Sequence, residues 1–124
     1  MRCPSPYFDV LRPTARAAVE QTKNGKIGII GTAATIASGS YRKEIERLAP
    51  KTEVFEQACP LFVPLVENAF VSPDDPIPRL TAERYLTPIR EAGVDTLILG
   101  CTHYPIISET IRRVMGENVT LISS

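Results

Sequence analysis

The sequence has a single histidine, His103, and three cysteines, at positions 3, 59 and 101. Cys101 and His103 could supply two metal ligands, but there is no second histidine to extend the set, so no metal site is expected. An odd, scattered cysteine count does not fit a disulfide framework. It fits reduced thiols and a cytoplasmic location. No apolar run approaches 18 residues, which excludes a membrane-spanning helix. The opening residues, Met1-Arg-Cys-Pro-Ser-Pro-Tyr-Phe8, lack the apolar core of a signal peptide. An excess of one charge is missing too: fourteen basic residues balance fourteen acidic ones. No face or tail collects one sign, so nucleic acid and membrane surfaces are not expected partners. There is no GxGxxG run and no P-loop lysine, no internal repeat and no low-complexity tract.

What is present is a regular alternation of elements. At 124 residues the chain is long enough for one domain with its own core. Residues 1–9 carry Pro4 and Pro6 and read as an irregular lead-in. Pro13 to Lys23 favours a helix, with Pro13 in its first turn, where a missing N–H is harmless. Lys26 to Gly31 reads as a buried strand, and Tyr41, Ile45 and Leu48 mark one face of the helix that follows. Thr52 to Gln57 is the next strand. Leu61, Phe62, Leu65, Val66 and Ala69 make an apolar stripe behind it, with Glu67 on the other face. Val71 to Pro78 is rich in proline and aspartate and reads as a loop. Thr81 to Ala92 is a helix that Pro88 should kink or restart. Val94 to Leu99 is a buried strand. Ile106, Ile107, Ile111, Val114 and Met115 form another helical stripe, and Val119 to Ile122 a last strand. The expected fold is a single α/β domain over 1–124, with a mostly parallel four-stranded sheet and helices on both faces.

The chemistry concentrates where the third strand ends. Val94-Asp-Thr-Leu-Ile-Leu-Gly-Cys-Thr-His-Tyr-Pro105 runs from a buried strand into a turn carrying Cys101, Thr102 and His103. Open α/β sheets place their ligands at this carboxyl edge. A cysteine close to a helix N-terminus, with a histidine two residues on, is favoured as thiolate. It could act as nucleophile or general base. Spacing alone leaves this open against an inert buried cysteine. The turn Gly31-Thr32-Ala-Ala-Thr35 could accept an anion, or could simply precede a helix capped by Ser38 or Ser40. On pattern alone Glu67 is a solvated surface charge and Cys59 a small buried residue.

Leu99-Gly-Cys-Thr-His-Tyr-Pro105 resembles the signature around the second catalytic cysteine of glutamate racemases. Ile27-Gly-Ile-Ile-Gly-Thr-Ala-Ala-Thr35, Gln57-Ala-Cys-Pro-Leu-Phe-Val-Pro-Leu-Val-Glu67 and Gly93-Val-Asp-Thr-Leu97 resemble the same family, in the same order. His103 favours the glutamate branch, because related aspartate racemases usually carry Glu after the Cys-Thr pair.

The resemblance implies a cofactor-free interconversion of L- and D-glutamate by two cysteine acid/bases, supplying D-glutamate for peptidoglycan. On this reading Cys101 is one base, His103 assists it, and Glu67 is a further acidic group near the cleft. Thr102 contacts the substrate carboxylate, and Thr32 and Thr35 turn hydroxyls toward the substrate. The family's first domain carries the other cysteine in a Cys-Asn-Thr motif, which does not occur here. The chain is therefore expected to be the second domain alone, working with glutamate and either the missing first domain or a second copy of itself. A non-catalytic module that binds an amino acid or a partner is the alternative.

Overall fold

The computed structural model describes the backbone of residues 4–100 and 104–123, and the side chains of 11–100, 104 and 106–123. Eleven elements alternate. They are α1 (Pro4–Gln21), β1 (Lys26–Gly31), α2 (Ala33–Ser38), α3 (Ser40–Leu48), β2 (Glu53–Ala58), α4 (Phe62–Glu67), α5 (Pro76–Glu91), β3 (Thr96–Leu99), a 3-10 turn (Tyr104–Ile107), α6 (Ser108–Met115) and β4 (Thr120–Ser123).

All three strand pairings are parallel, and the sheet order is β2-β1-β3-β4. Every strand is followed or preceded by a helix that returns the chain, as parallel pairing requires. β1 and β3 are central and buried on both faces, which is why they read as unbroken apolar runs. Alternation still decides which way each side chain points. Ile27, Ile29 and Ile98 meet Leu11, Ala15, Ala18, Tyr41 and Ile45 of α1 and α3. Ile30, Leu97 and Leu99 meet Phe62, Leu86, Ile89, Ile111 and Val114 of α4, α5 and α6. The expected α/β sheet with helices on both faces is thus observed.

Gly28 faces the second of these cores. A Cβ there would lie 2.8 Å from Ile89 Cγ2 and 3.0 Å from Leu97 Cδ1. The missing side chain lets α5 settle directly onto β1.

The lead-in is a correction. From Pro4 onward the expected irregular segment is helical, and α1 runs through Pro13 rather than starting there. α5 likewise starts at Pro76, inside the expected loop, and runs through Pro88. Its start is strongly specified: Asp75 Oδ1 accepts from Ile77 N at 2.9 Å, with Pro76 at the first helical position. Both interior prolines lie on exposed faces. The carbonyl each leaves unpaired on that side can turn to water, and the apolar stripe below is not interrupted. Three residues of the expected apolar stripes are on the surface instead: Leu61, Ala69 and Ile106. Ala69 sits just past α4 with φ 64°.

The amino edge of the sheet is closed by Asp95. Its carboxylate accepts from Thr22 Oγ1 at 2.6 Å, Lys23 N at 2.6 Å, Asn24 N at 3.0 Å and Thr96 Oγ1 at 3.0 Å. Asn24 Nδ2 in turn donates to Gly93 O at 2.8 Å. These bonds tie the α1–β1 turn to the start of β3. Partial burial acts to raise the Asp95 carboxyl pKa. The donated hydrogen bonds outweigh it, and the net direction is downward.

Candidate functional site

The sheet order fixes where a ligand can approach. From β1 the chain moves outward to β2, then returns across β1 to β3. The connections after β1 and β3 therefore leave toward opposite faces, and a crevice opens between their carboxyl ends. That switch point is the usual ligand position in open α/β sheets. Here it lies between Gly31-Thr32 and Gly100.

The first side is built by α2. Thr32 is its N-cap, and Thr32 Oγ1 accepts from Thr35 N at 3.3 Å. The same hydroxyl donates to Thr35 Oγ1 at 3.1 Å. Of the two hydroxyl protons one is held between the oxygens. The other is left to the pair as a donor for a carboxylate. Ser38 does serve the next helix, since its Oγ accepts from Ser40 N at 3.3 Å. The N-cap of α3 is nevertheless Gly39, with no side-chain cap bond, so the expected cap by Ser38 or Ser40 is not found; Thr32 is the side-chain cap, and it starts α2. Thr35 is pinned by what surrounds it. A Cβ on Gly31 would come within 3.1 Å of Thr35 Cγ2, and one on Gly100 within 3.6 Å of the same methyl.

The second side is the end of β3. Gly100 N donates to Ile30 O at 2.8 Å. A Cβ on Gly100 would stand 2.7 Å from that carbonyl oxygen, closer than real Cβ contacts allow. Only glycine lets the chain leave β3 this tightly against β1. Cys101, Thr102 and His103 lie outside the described residues. Their neighbours are fixed on both sides: Gly100 against Thr35, and Tyr104 in the core. Tyr104 is fully buried, and its hydroxyl donates to Cys59 O at 3.2 Å. Its ring meets Phe62 edge-on, with centroids 5.4 Å apart. The tyrosine thus ties the segment after β3 to the segment after β2. No role of its own is expected for Tyr104 from the sequence, although its place directly after Cys-Thr-His is the signal that marks it.

Glu67 is the last residue of α4 and is exposed. α4 packs against the 3-10 turn that begins at Tyr104. Its position brings the carboxylate's helix to the edge where Tyr104 re-enters the fold. Cys59, by contrast, is walled in. It is fully buried in the α4–α5 core, and burial pushes its thiol far above the usual range. It is a structural residue, as the pattern suggested.

The described part of the edge is also unusually apolar at its surface. Leu61, Phe70, Ile77, Leu80 and Ile106 are the large hydrophobic residues exposed among the described residues. Leu61 and Ile106 leave the carboxyl ends of β2 and β3. Phe70, Ile77 and Leu80 lie between α4 and the first turn of α5, which descends from that edge.

Residues 1–124 match the model of the Asp/Glu/hydantoin racemase family. The chain belongs to that family. It is 49% identical over 119 residues to the glutamate racemase of Geobacter metallireducens, covering 96% of this chain and 43% of the relative. The glutamate racemase of Corynebacterium kroppenstedtii is 50% identical over 119 residues, with 96% and 41% covered. Among solved structures, glutamate racemase isoform RacE1 from Bacillus anthracis superposes with a TM-score of 0.80 at 40% identity, over 92% of this chain and 42% of that one. The Francisella tularensis glutamate racemase, solved in complex with D-glutamate, gives 0.75 at 40% identity, over 88% and 40%. This family member therefore spans less than half the length of the relatives it matches. No described helix is long and apolar enough to cross a membrane.

Proposed function

We propose that this chain supplies one wall of a glutamate racemase site, with Cys101 as the acid/base on one face of the amino acid's α-carbon. The observation that carries this is the junction of Gly100 with Ile30 and Thr35, which sets the residue before Cys-Thr-His beside the threonine pair at the switch point. The proposed roles follow from chemistry. As thiolate, Cys101 removes the α-proton; as thiol, it returns one. His103 assists that exchange, and Glu67 is a second acidic group at the rim. Thr102 binds the substrate carboxylate, and the Thr32–Thr35 pair offers its remaining hydroxyl proton to the substrate. Two bases are needed to invert a carbon, one on each side and each within hydrogen-bonding reach. The opposite base comes from another α/β unit, either a first domain of the kind the longer relatives contain or a second copy of this chain. The exposed apolar side chains around this edge favour such a protein partner over open solvent. The product in the cell would be D-glutamate for peptidoglycan, made in the cytoplasm without a cofactor.

Proton exchange in heavy water tests this reading directly. A single base exchanges the α-proton with retention, whereas two bases exchange it with inversion. The purified chain with one enantiomer of glutamate is expected to incorporate deuterium slowly, and Cys101→Ala to abolish it. Inversion by the chain alone would assign the second base to a second copy. Adding a separately produced racemase first domain is expected to raise inversion if that domain supplies the base. Absence of Cys101-dependent exchange under all these conditions would sink the catalytic reading and leave an amino-acid-binding module.

A further inference from the structure

On the sheet face away from α5 and α6, α1 and α3 run side by side from the carboxyl edge toward the amino edge. Between them lies a groove of about 390 Å³, within the size range of small-molecule sites. Three arginines line it: Arg12 and Arg16, one turn apart on α1, and Arg47 on α3. Two carboxylates share it, Glu20 and Glu44.

The charges are unequally paired. Arg47 donates from Nε to Glu44 Oε1 at 3.2 Å and from Nη2 to Glu44 Oε2, so it is held in place. Glu44 is the more buried partner, with 12% of its side chain exposed against 63% for Arg47. Arg12 and Arg16 form no ion pair among the described residues, although both lie close enough to favour the ionised form of Glu44. Two guanidiniums at i and i+4 repel each other. The groove as it stands holds more positive than negative charge and has two guanidinium forks unused. Arginine forks match the paired oxygens of phosphate groups.

We infer that the α1–α3 groove is a binding site for a small, multiply charged phosphate anion, held by the unused forks of Arg12 and Arg16 on one wall, with the Glu44-paired Arg47 adding only its charge on the other. The groove lies along the later turns of α1 and α3, away from the carboxyl edge where the proposed substrate site sits, so its ligand would be an effector and not the substrate. Bound there, the anion would bridge α1 to α3. Because α3 follows α2 directly, tightening α3 reaches Thr32 and Thr35 through the backbone.

Inorganic pyrophosphate is a suitable probe, titrated into the full chain by calorimetry at physiological ionic strength. Saturable binding is expected, weaker for orthophosphate and absent for glutamate and chloride. Arg12→Gln with Arg16→Gln should lower affinity at least tenfold. Glu44→Gln should raise it several-fold, because it removes a repelling carboxylate and frees the Arg47 fork. Arg79→Gln, on the opposite face, should leave it unchanged. Circular dichroism confirms that each variant is folded. Binding that is non-saturable, that survives the double substitution, or that falls equally with Arg79→Gln would show adventitious attraction to exposed arginines and overturn the assignment.

Discussion

Gly100 decides more of the site than its size suggests. Its amide holds β3 to β1, and it admits no side chain, because the Ile30 carbonyl occupies the place of a Cβ. Gly100→Ala must push the two central strands apart at the point from which Cys101 follows. The expected loss is about 1–3 kcal/mol, as for other overpacked positions. A urea titration should show a lower midpoint with an unchanged slope. Any Cys101-dependent exchange should fall further than stability accounts for, since the approach to the Thr35 methyl changes as well. Asp95 supports a second prediction, at the far edge. Its pKa is lowered on folding, so the stability it contributes is fully present above the unfolded value, about 3.9. That stability is lost as pH falls through the folded value. Asp95→Asn keeps the shape but not the charge of an acceptor of four bonds. About 1–2 kcal/mol should be lost at neutral pH, at the lower end for charged hydrogen bonds because the site is partly exposed. The difference from the wild-type chain should shrink as pH drops below 4. These two residues differ in legibility. The close approach at Gly100 was hinted at by the strand-to-turn break. Asp95 looked like part of a family motif, and nothing local to it announced contacts with residues more than seventy positions away.

At the scale of elements, strands were easier to read than helix limits. β1 begins and ends where its apolar run does, and β2 and β4 are displaced by one residue from their expected spans. Central parallel strands are defined by burial on both faces, which composition reports directly. Helix limits were misplaced by the prolines. Pro13, Pro76, Pro78 and Pro88 were read as stops, starts or loop. In the fold α1 and α5 pass through Pro13 and Pro88 on their solvent sides, and Pro76 and Pro78 occupy the first turn of α5, where a missing N–H costs nothing. Local sequence shows that a residue is proline but not which side of a packed helix it faces. A prediction follows for α5. Pro88→Ala restores a donor for the Arg84 carbonyl at an exposed position without touching the apolar stripe formed by Ala82, Leu86 and Ile89. It should stabilise the chain by about 1 kcal/mol, less than the full helix-interior penalty of proline, because the unfolded chain also regains freedom. Thermal unfolding would record this as an upward shift. A downward shift would mean that α5 is shaped around the proline.

For the whole molecule, the distribution of apolar surface matters more than its amount. The sheet buries two cores: Ile27, Ile29 and Ile98 on one face, Ile30, Leu97 and Leu99 on the other. Among the described residues, the large apolar side chains left in solvent are gathered in the segments around one edge, Leu61, Phe70, Ile77, Leu80 and Ile106. Sequence patterns could not show this, because Leu61 and Ile106 extend apolar stripes whose other members are inside. Only topology reveals that the stripes overrun the sheet at its carboxyl end. Each such residue is only 40–58% exposed, so covering it would contribute about half of the roughly 1.5–3 kcal/mol of full burial, and a protein surface seated on this edge would be stabilised by the sum. For the purified chain in solution, a second copy is the available partner. Sedimentation velocity of the chain at tens of micromolar should therefore show reversible, concentration-dependent association. Leu61→Glu with Ile106→Glu should abolish it without unfolding the chain, since both side chains are more than half exposed. Mutations on the α1–α3 face, Arg12→Gln for example, should not. If the wild-type chain stays monomeric across that range, the exposed residues are not self-complementary. On the proposed function the opposite wall would then come from a different α/β unit, and the same two glutamate substitutions should prevent that unit from binding.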